Sequence, residues 1–175
     1  MELLIPMILK EINGVGVVKT RKIMENNNLP KDVSDIGDWL GLVLNKEGIS
    51  SYNLSNDKLK KIIERISKLK EYQLKNEIKS VSILDDRYPI LLKQINNAPI
   101  VLHYKGNLSC LINEKIVSVV GTRYPTDNGV RVAYKTAKYF AEKNYSVVSG
   151  LALGCDTYAH RATVEINKST IAVMP

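Results

Sequence analysis

Apolar and polar positions divide this chain into two textures. Up to about residue 78, apolar residues recur at helical spacing; from Ser80 onward they gather in short β-branched runs separated by glycine turns. Ile5–Glu11 is a short apolar-rich stretch. Val17–Asn26 is predicted helical, with Val18 and Ile23 facing inward. Lys31–Asn45 holds a helix around Trp39, Leu40, Leu42, Val43 and Leu44, with Trp39 as a core anchor. Leu59, Ile62, Ile63, Ile66 and Leu69 make an i, i+3, i+4, i+7 stripe on a helix from Lys58 to about Asn76, capped by Asn56 or Asp57, with its lysines on a solvated face. Asn26–Pro30 and Gly48–Asn56 read as loops.

The second texture begins with Val81–Leu84, read as a strand. A turn at Asp85–Pro89, a short helix at Ile90–Ile95, a strand at Ile100–Tyr104 and a turn at Lys105–Asn107 follow. Ile116, Val117, Val119 and Val120 then form a buried strand that Gly121 breaks, and Pro125 and Asp127 sit where a helix begins. In Asp127–Lys143, Val130, Ala133, Tyr134, Ala137 and Ala141 fall on one helical face, and Arg131, Lys135, Lys138 and Glu142 on another. Ser146–Asp156 repeats the strand and glycine turn, with Asp156 as helix N-cap. Thr157–Ile166 is a helix and Thr170–Met174 a third parallel strand. The pattern predicts an α/β chain: a helical domain over 1–78, then a parallel sheet over 79–175.

A strand, a glycine turn and a helix start together make an anion site, because free N–H groups point outward and the helix dipole favours negative charge. Arg123 adds a planar cation that matches phosphate oxygens. The β-α-β arrangement brings Gly121–Arg123 and Ser149–Gly154 side by side at the carboxyl edge of one sheet, where open α/β folds bind ligands. An ordinary strand–helix turn with an exposed arginine is the alternative. Near the N-terminus, Ile12-Asn13-Gly14-Val15-Gly16 joins two helices by a tight Gly-x-Gly turn that resembles a helix-hairpin-helix motif. There Gly14 and Gly16 let the backbone approach a phosphate, and Lys19, Arg21 and Lys22 reach neighbouring phosphates without reading sequence. A purely structural αα-corner is the alternative.

Composition narrows the partners. Lys and Arg number 25 against 18 Asp and Glu, a formal charge of +7, which suits a polyanion; no run of five basic residues forms a tail. Two cysteines, Cys110 and Cys155, without metal-ligand spacing and with two histidines, argue against a disulfide framework or a metal site. Pro6 interrupts the apolar N-terminal residues, no basic leader accompanies them, and no apolar run reaches membrane-spanning length. A cytoplasmic protein with no membrane partner is expected. The chain stops at Pro175, at the carboxyl end of a strand, which reads as a truncation or as completion by a partner.

Taken in order, Tyr88-Pro89, Leu91-Leu92, Ala98–Leu102 and Gly106-Asn107-Leu108 resemble the DprA family, DNA-processing protein A, also called Smf. Val119–Arg123 resembles its Val-Gly-[Ser/Thr]-Arg turn, and Ser149–Asp156 its Ser-Gly-x-Ala-x-Gly-x-Asp turn. Ala159-His160 and Thr170–Val173 continue the match. The resemblance implies an extended Rossmann-like domain that binds single-stranded DNA without catalysis or a cofactor. It also implies a role in natural transformation and in loading a RecA-type recombinase. Carried over by position, Gly121, Thr122 and Arg123 hold a backbone phosphate, and Ser149, Gly150, Ala152 and Gly154 line the other side of the pocket with main-chain N–H groups. Asp156 caps the following helix rather than touching DNA. Tyr124 is either a base-stacking residue or an exposed turn tyrosine, and His160 is a neutral residue packed beneath the pocket.

Two departures stand out. Leu153 replaces an arginine common in the family, and the family continues past Pro175 into the surface through which members usually form a homodimer. Two other functions compete. One is a nucleotide-binding enzyme or sensor related to nucleoside-monophosphate phosphoribohydrolases. The chain has no Pro-Gly-Gly segment for that chemistry, and Glu165 lies far from the turns in sequence. The other makes the helical domain the interaction module, for protein or duplex DNA.

Overall fold

The computed structural model describes residues 1–49, 55–112 and 115–174. The predicted loop Gly48–Asn56 lies mostly outside the described residues, as does Pro175. The fold is α/β, with helices first and a parallel three-stranded sheet with helices after them. It divides into two compact units, Met1–Gly106 and Asn107–Pro175.

In the first unit, α1 (Leu4–Leu9), α2 (Val17–Asn26), α3 (Ile36–Lys46) and α4 (Asn56–Lys75) surround a core of Ile5, Ile8, Leu9, Ile23, Ile36, Leu40 and Leu44. On α2 the inward residues are Thr20, Ile23 and Met24, whereas Val18 is 60% exposed. The expectation for Val18 fails on geometry: it lies five positions from Ile23, about 140° away around a helix. Trp39 is half-buried and its indole N–H donates to the Asn28 carbonyl at 2.8 Å, so it anchors the preceding loop from the edge of the core. The cap of α4 is Ser55, whose hydroxyl accepts from Lys58 N at 3.3 Å, rather than Asn56 or Asp57, which lie inside the helix.

Strands β1 (Lys79–Ser82) and β2 (Val101–Tyr104) pair antiparallel with each other, in register from Lys79↔Tyr104 to Ser82↔Val101. Between them runs the short helix α5 (Ile90–Lys93), and the Tyr88 hydroxyl donates to the Pro99 carbonyl at 2.7 Å. This pair forms its own two-stranded sheet. The two compact units meet between Gly106 and Asn107, so this strand pair lies in the first unit.

In the second unit, α6 (Ser109–Ile112) precedes β3 (Ile116–Ser118). Then come α7 (Asp127–Glu142), β4 (Ser146–Ser149), α8 (Cys155–Val164) and β5 (Thr170–Ala172). The strands are parallel in the order β3-β4-β5. Val119, Ala137, Ala141, Val147, Ala159 and Ala162 form the core, with Val117, Tyr134 and Ile166 packed against it. Alanines on the facing sides of α7 and α8 remove bulk where these helices meet. The ladder runs slightly past β3, since Val119 N donates to the Val148 carbonyl at 3.0 Å, and Val120 then emerges into solvent.

Candidate nucleic-acid interface

Because β3 and β4 are parallel neighbours, the turns that follow them leave the sheet at the same edge. They interlock there. Cys155 N donates to the Thr122 carbonyl at 3.1 Å. A Cβ on Gly121 would lie 2.6 Å from Cys155 Sγ, and one on Gly154 would lie 2.4 Å from the Thr122 carbonyl oxygen. Gly154 also holds φ +85°, a conformation L-residues avoid. Each glycine therefore sits where the other turn passes. Below them the buried Ser149 hydroxyl donates to the Val119 carbonyl at 2.7 Å, fastening β4 to the end of the first strand.

The first turn faces outward. Gly121, Thr122, Arg123 and Tyr124 are exposed, Tyr124 at 90%. The Arg123 guanidinium makes no hydrogen bond or ion pair with another described residue. Tyr124 N donates to the Thr122 hydroxyl at 3.2 Å, which closes the turn locally. The main-chain N–H groups of Gly121, Thr122 and Arg123 find no acceptor among the described residues. Helix α7 then starts at Asp127, capped by Thr126, whose hydroxyl accepts from Gly129 N at 3.2 Å.

The second turn is built differently from the expectation. Asp156 does not cap α8: Gly154 occupies that position, and Asp156 lies inside the first turn of the helix. Its carboxylate is buried and reaches back, accepting from Gly150 N at 3.1 Å and Ala152 N at 3.4 Å through one oxygen. Two of the N–H groups expected to face a ligand thus already have an acceptor. The N–H groups of Leu151 and Leu153 have none among the described residues, and both leucine side chains are exposed, Leu153 at 75%. Leu151 adopts φ +58°. Gly154 is half-buried against the first turn, and Ser149 faces the interior. The alternation of Gly150 and Ala152 N–H groups held by Asp156 with exposed Leu151 and Leu153 is not evident from the spacing; its sequence signal is the acidic residue just past the turn, which reads as a helix cap.

His160, one helical turn beyond Asp156, is buried as expected. Its Nδ1 lies 2.6 Å from the Thr170 hydroxyl, which itself donates to the Val147 carbonyl at 3.1 Å. The hydroxyl proton being used there, Nδ1 carries the N–H and Nε2 is buried with no partner among the described residues. Burial pushes the imidazole below its usual pKa, and the neighbouring Asp156 carboxylate offsets this only in part. Glu165 accepts a hydrogen bond from the Tyr134 hydroxyl on α7, away from both turns.

The N-terminal hairpin lies in the other unit. Gly14 takes φ +83°, and Gly16 precedes α2 without a side-chain cap. A Cβ on either would meet nothing within 4 Å, so close packing does not demand these glycines. Lys19 is exposed. Arg21 pairs with Glu25 at 2.9 Å and donates to the Lys93 carbonyl at 3.0 Å, and Lys22 pairs with Glu47 at 2.9 Å. Of the three expected phosphate cations, two are engaged within the protein. No cluster of three or more potential metal ligands occurs among the described residues, and no helix there is long and apolar enough to cross a membrane.

Residues 79–175 match the family model described as DNA recombination-mediator protein A. Protein Smf from Synechocystis sp. is 30% identical over 172 residues, covering 94% of this chain and 42% of that protein. The DNA processing protein DprA of Streptococcus pneumoniae is 41% identical over 115 residues, covering 64% of this chain and 40% of that protein. The chain therefore spans about two fifths of the length of these relatives. An X-ray structure of DprA from Streptococcus pneumoniae superposes with a TM-score of 0.54 at 30% identity, over 91% of this chain and 58% of that one.

Proposed function

From the premise that the chain belongs to the DNA recombination-mediator protein A family, we propose that it binds single-stranded DNA at the edge where its two glycine turns meet, without catalysing a reaction on it. The observation that carries this reading is Arg123, an exposed guanidinium with no protein partner among the described residues, beside a row of unpaired main-chain N–H groups. Such a group meets a phosphate oxygen with charge-assisted hydrogen bonds. Tyr124 stands next to it, 90% exposed, and its ring is the stacking surface for an unpaired base on this reading. Handing the bound strand to a RecA-type recombinase follows as the family role, and a homodimer as the family assembly. The enzyme alternative gains no support, since Glu165 is engaged by Tyr134.

Fluorescence anisotropy with a labelled oligo-dT, at low and moderate salt, tests the site. The wild type should bind and should weaken steeply as salt rises, because phosphate binding releases counterions. Arg123→Ala should bind at least about tenfold more weakly, as expected for a lost charge-assisted contact. Equal binding by both proteins would place the site elsewhere.

A further inference from the structure

The carboxylate of Asp156 does work that neither DNA binding nor the family match assigns. It is a buried carboxylate beside the turn proposed to receive a phosphate, where a group that only repelled the ligand would be a cost. Its position supplies that purpose. One oxygen accepts from both Gly150 N and Ala152 N, at 3.1 Å and 3.4 Å. The same oxygen lies 3.0 Å from where a Cβ on Gly150 would stand, so carboxylate and turn are closely packed there. Two hydrogen bonds from alternate residues fix the direction of the residues between and after them. Leu151 is held at φ +58°, the side chains of Leu151 and Leu153 are exposed, and their N–H groups find no acceptor among the described residues.

We propose that Asp156 is the positioning residue of the interface: its carboxylate holds the N–H groups of Gly150 and Ala152, so that Leu151 and Leu153 are presented to the DNA strand beside Arg123. This rests on the single-stranded DNA reading above. The charge is not what matters on this account; the acceptor oxygen is. An asparagine keeps an oxygen that accepts from both N–H groups and removes the negative charge. An alanine removes the acceptor.

The test compares wild type, Asp156→Asn, Asp156→Ala and Arg123→Ala by oligo-dT anisotropy, with amide hydrogen exchange followed by NMR on each. Asp156→Asn should bind as tightly as wild type or more tightly, and Asp156→Ala at least fivefold more weakly. The Gly150 and Ala152 amides should be protected in wild type and Asp156→Asn and exchange fast in Asp156→Ala, while Val147 and Val148 on β4 stay protected. Wild-type binding by Asp156→Ala, or equal weakening by both Asp156 variants with Val147 and Val148 still protected, would overturn the proposal. Should Asp156→Ala lose the β4 protection and so the fold, Asp156→Asn decides alone: loss of binding or of Gly150 and Ala152 protection refutes it. Failure of the DNA reading is distinct, for then wild type itself does not bind the oligonucleotide and Arg123→Ala changes nothing.

Discussion

At the scale of single residues, glycine carries a different load from the one its spacing suggests. Gly121 and Gly154 read as residues that let a phosphate approach the backbone, but each is where one turn passes against the other. Nothing in a linear sequence separates close approach to a ligand from close approach to another turn, since both need a missing Cβ. Gly154→Ala should therefore lower stability by about 2–4 kcal/mol, from a disfavoured φ and a clash with the Thr122 carbonyl. Urea unfolding would measure it, and a loss confined to DNA affinity would mean the contact yields easily. His160 makes a second residue-scale prediction. Its pKa is lowered from 6.5 by burial, and that of His103 is lowered by burial first and Lys10 second. For a histidine lowered on folding, the unfolded chain binds the proton more readily. Stability is then full above about 6.5 and is lost as pH falls through that value toward the folded pKa. Asp85, held down at about 2 chiefly by its hydrogen bond from Arg87, adds no slope in this window, because its contribution is lost only as pH falls below 3.8. The urea midpoint should thus fall between pH 8 and pH 5.5, and His160→Gln should flatten part of that fall.

At the scale of elements, helices and strands were read well wherever periodicity was long, and poorly where a face or a cap had to be chosen. Helix α7 shows the first case. Its alanines at Ala133, Ala137 and Ala141 are all buried, as their spacing requires. Helix α2 shows the second, because a short helix with few apolar residues leaves its inward face open to two assignments, and buried Thr20 rather than Val18 completes it. Caps failed for a related reason. Ser55 caps α4 and Gly154 holds the cap position of α8, while the expected Asn56, Asp57 and Asp156 lie one or two residues inside those helices, and so short an offset is beyond composition alone. Thr126→Ala should cost about 1 kcal/mol by removing the acceptor for Gly129 N. Because α7 begins directly behind the first glycine turn, the same variant should also loosen the Arg123 loop, seen as faster amide exchange at Tyr124. Unchanged stability would mean that water replaces the hydroxyl at no cost. The β-α-β connection was legible because two valine-rich runs flank one amphipathic helix, and this alone brings both turns to one edge. The inward reach of Asp156 was not, because it depends on the backbone path of the turn it holds.

At the scale of the whole molecule, the question is how much of the +7 charge engages the ligand. Net charge counts every lysine equally, whereas binding counts only cations free to neutralise phosphates. The structure sorts them. Arg123 has no partner among the described residues, whereas Arg21 and Lys22 are occupied by Glu25, Lys93 and Glu47. This leaves Lys19 as the one cation of the three first assigned to the hairpin that has no partner among the described residues. The salt slope of binding separates these contributions, since each phosphate neutralised on a single strand adds about 0.7 to the slope of log affinity against log salt. Arg123→Ala should lower the slope by about that amount as well as weaken binding. Lys19→Ala should leave it unchanged if the interface is confined to the two glycine turns. A slope reduced by about 0.7 in Lys19→Ala would instead mean that Lys19, beside the Gly14–Gly16 turn, also neutralises a phosphate. An unchanged slope in Arg123→Ala, whatever its affinity, would mean that the guanidinium does not neutralise a phosphate, and would remove the observation on which the proposed site rests.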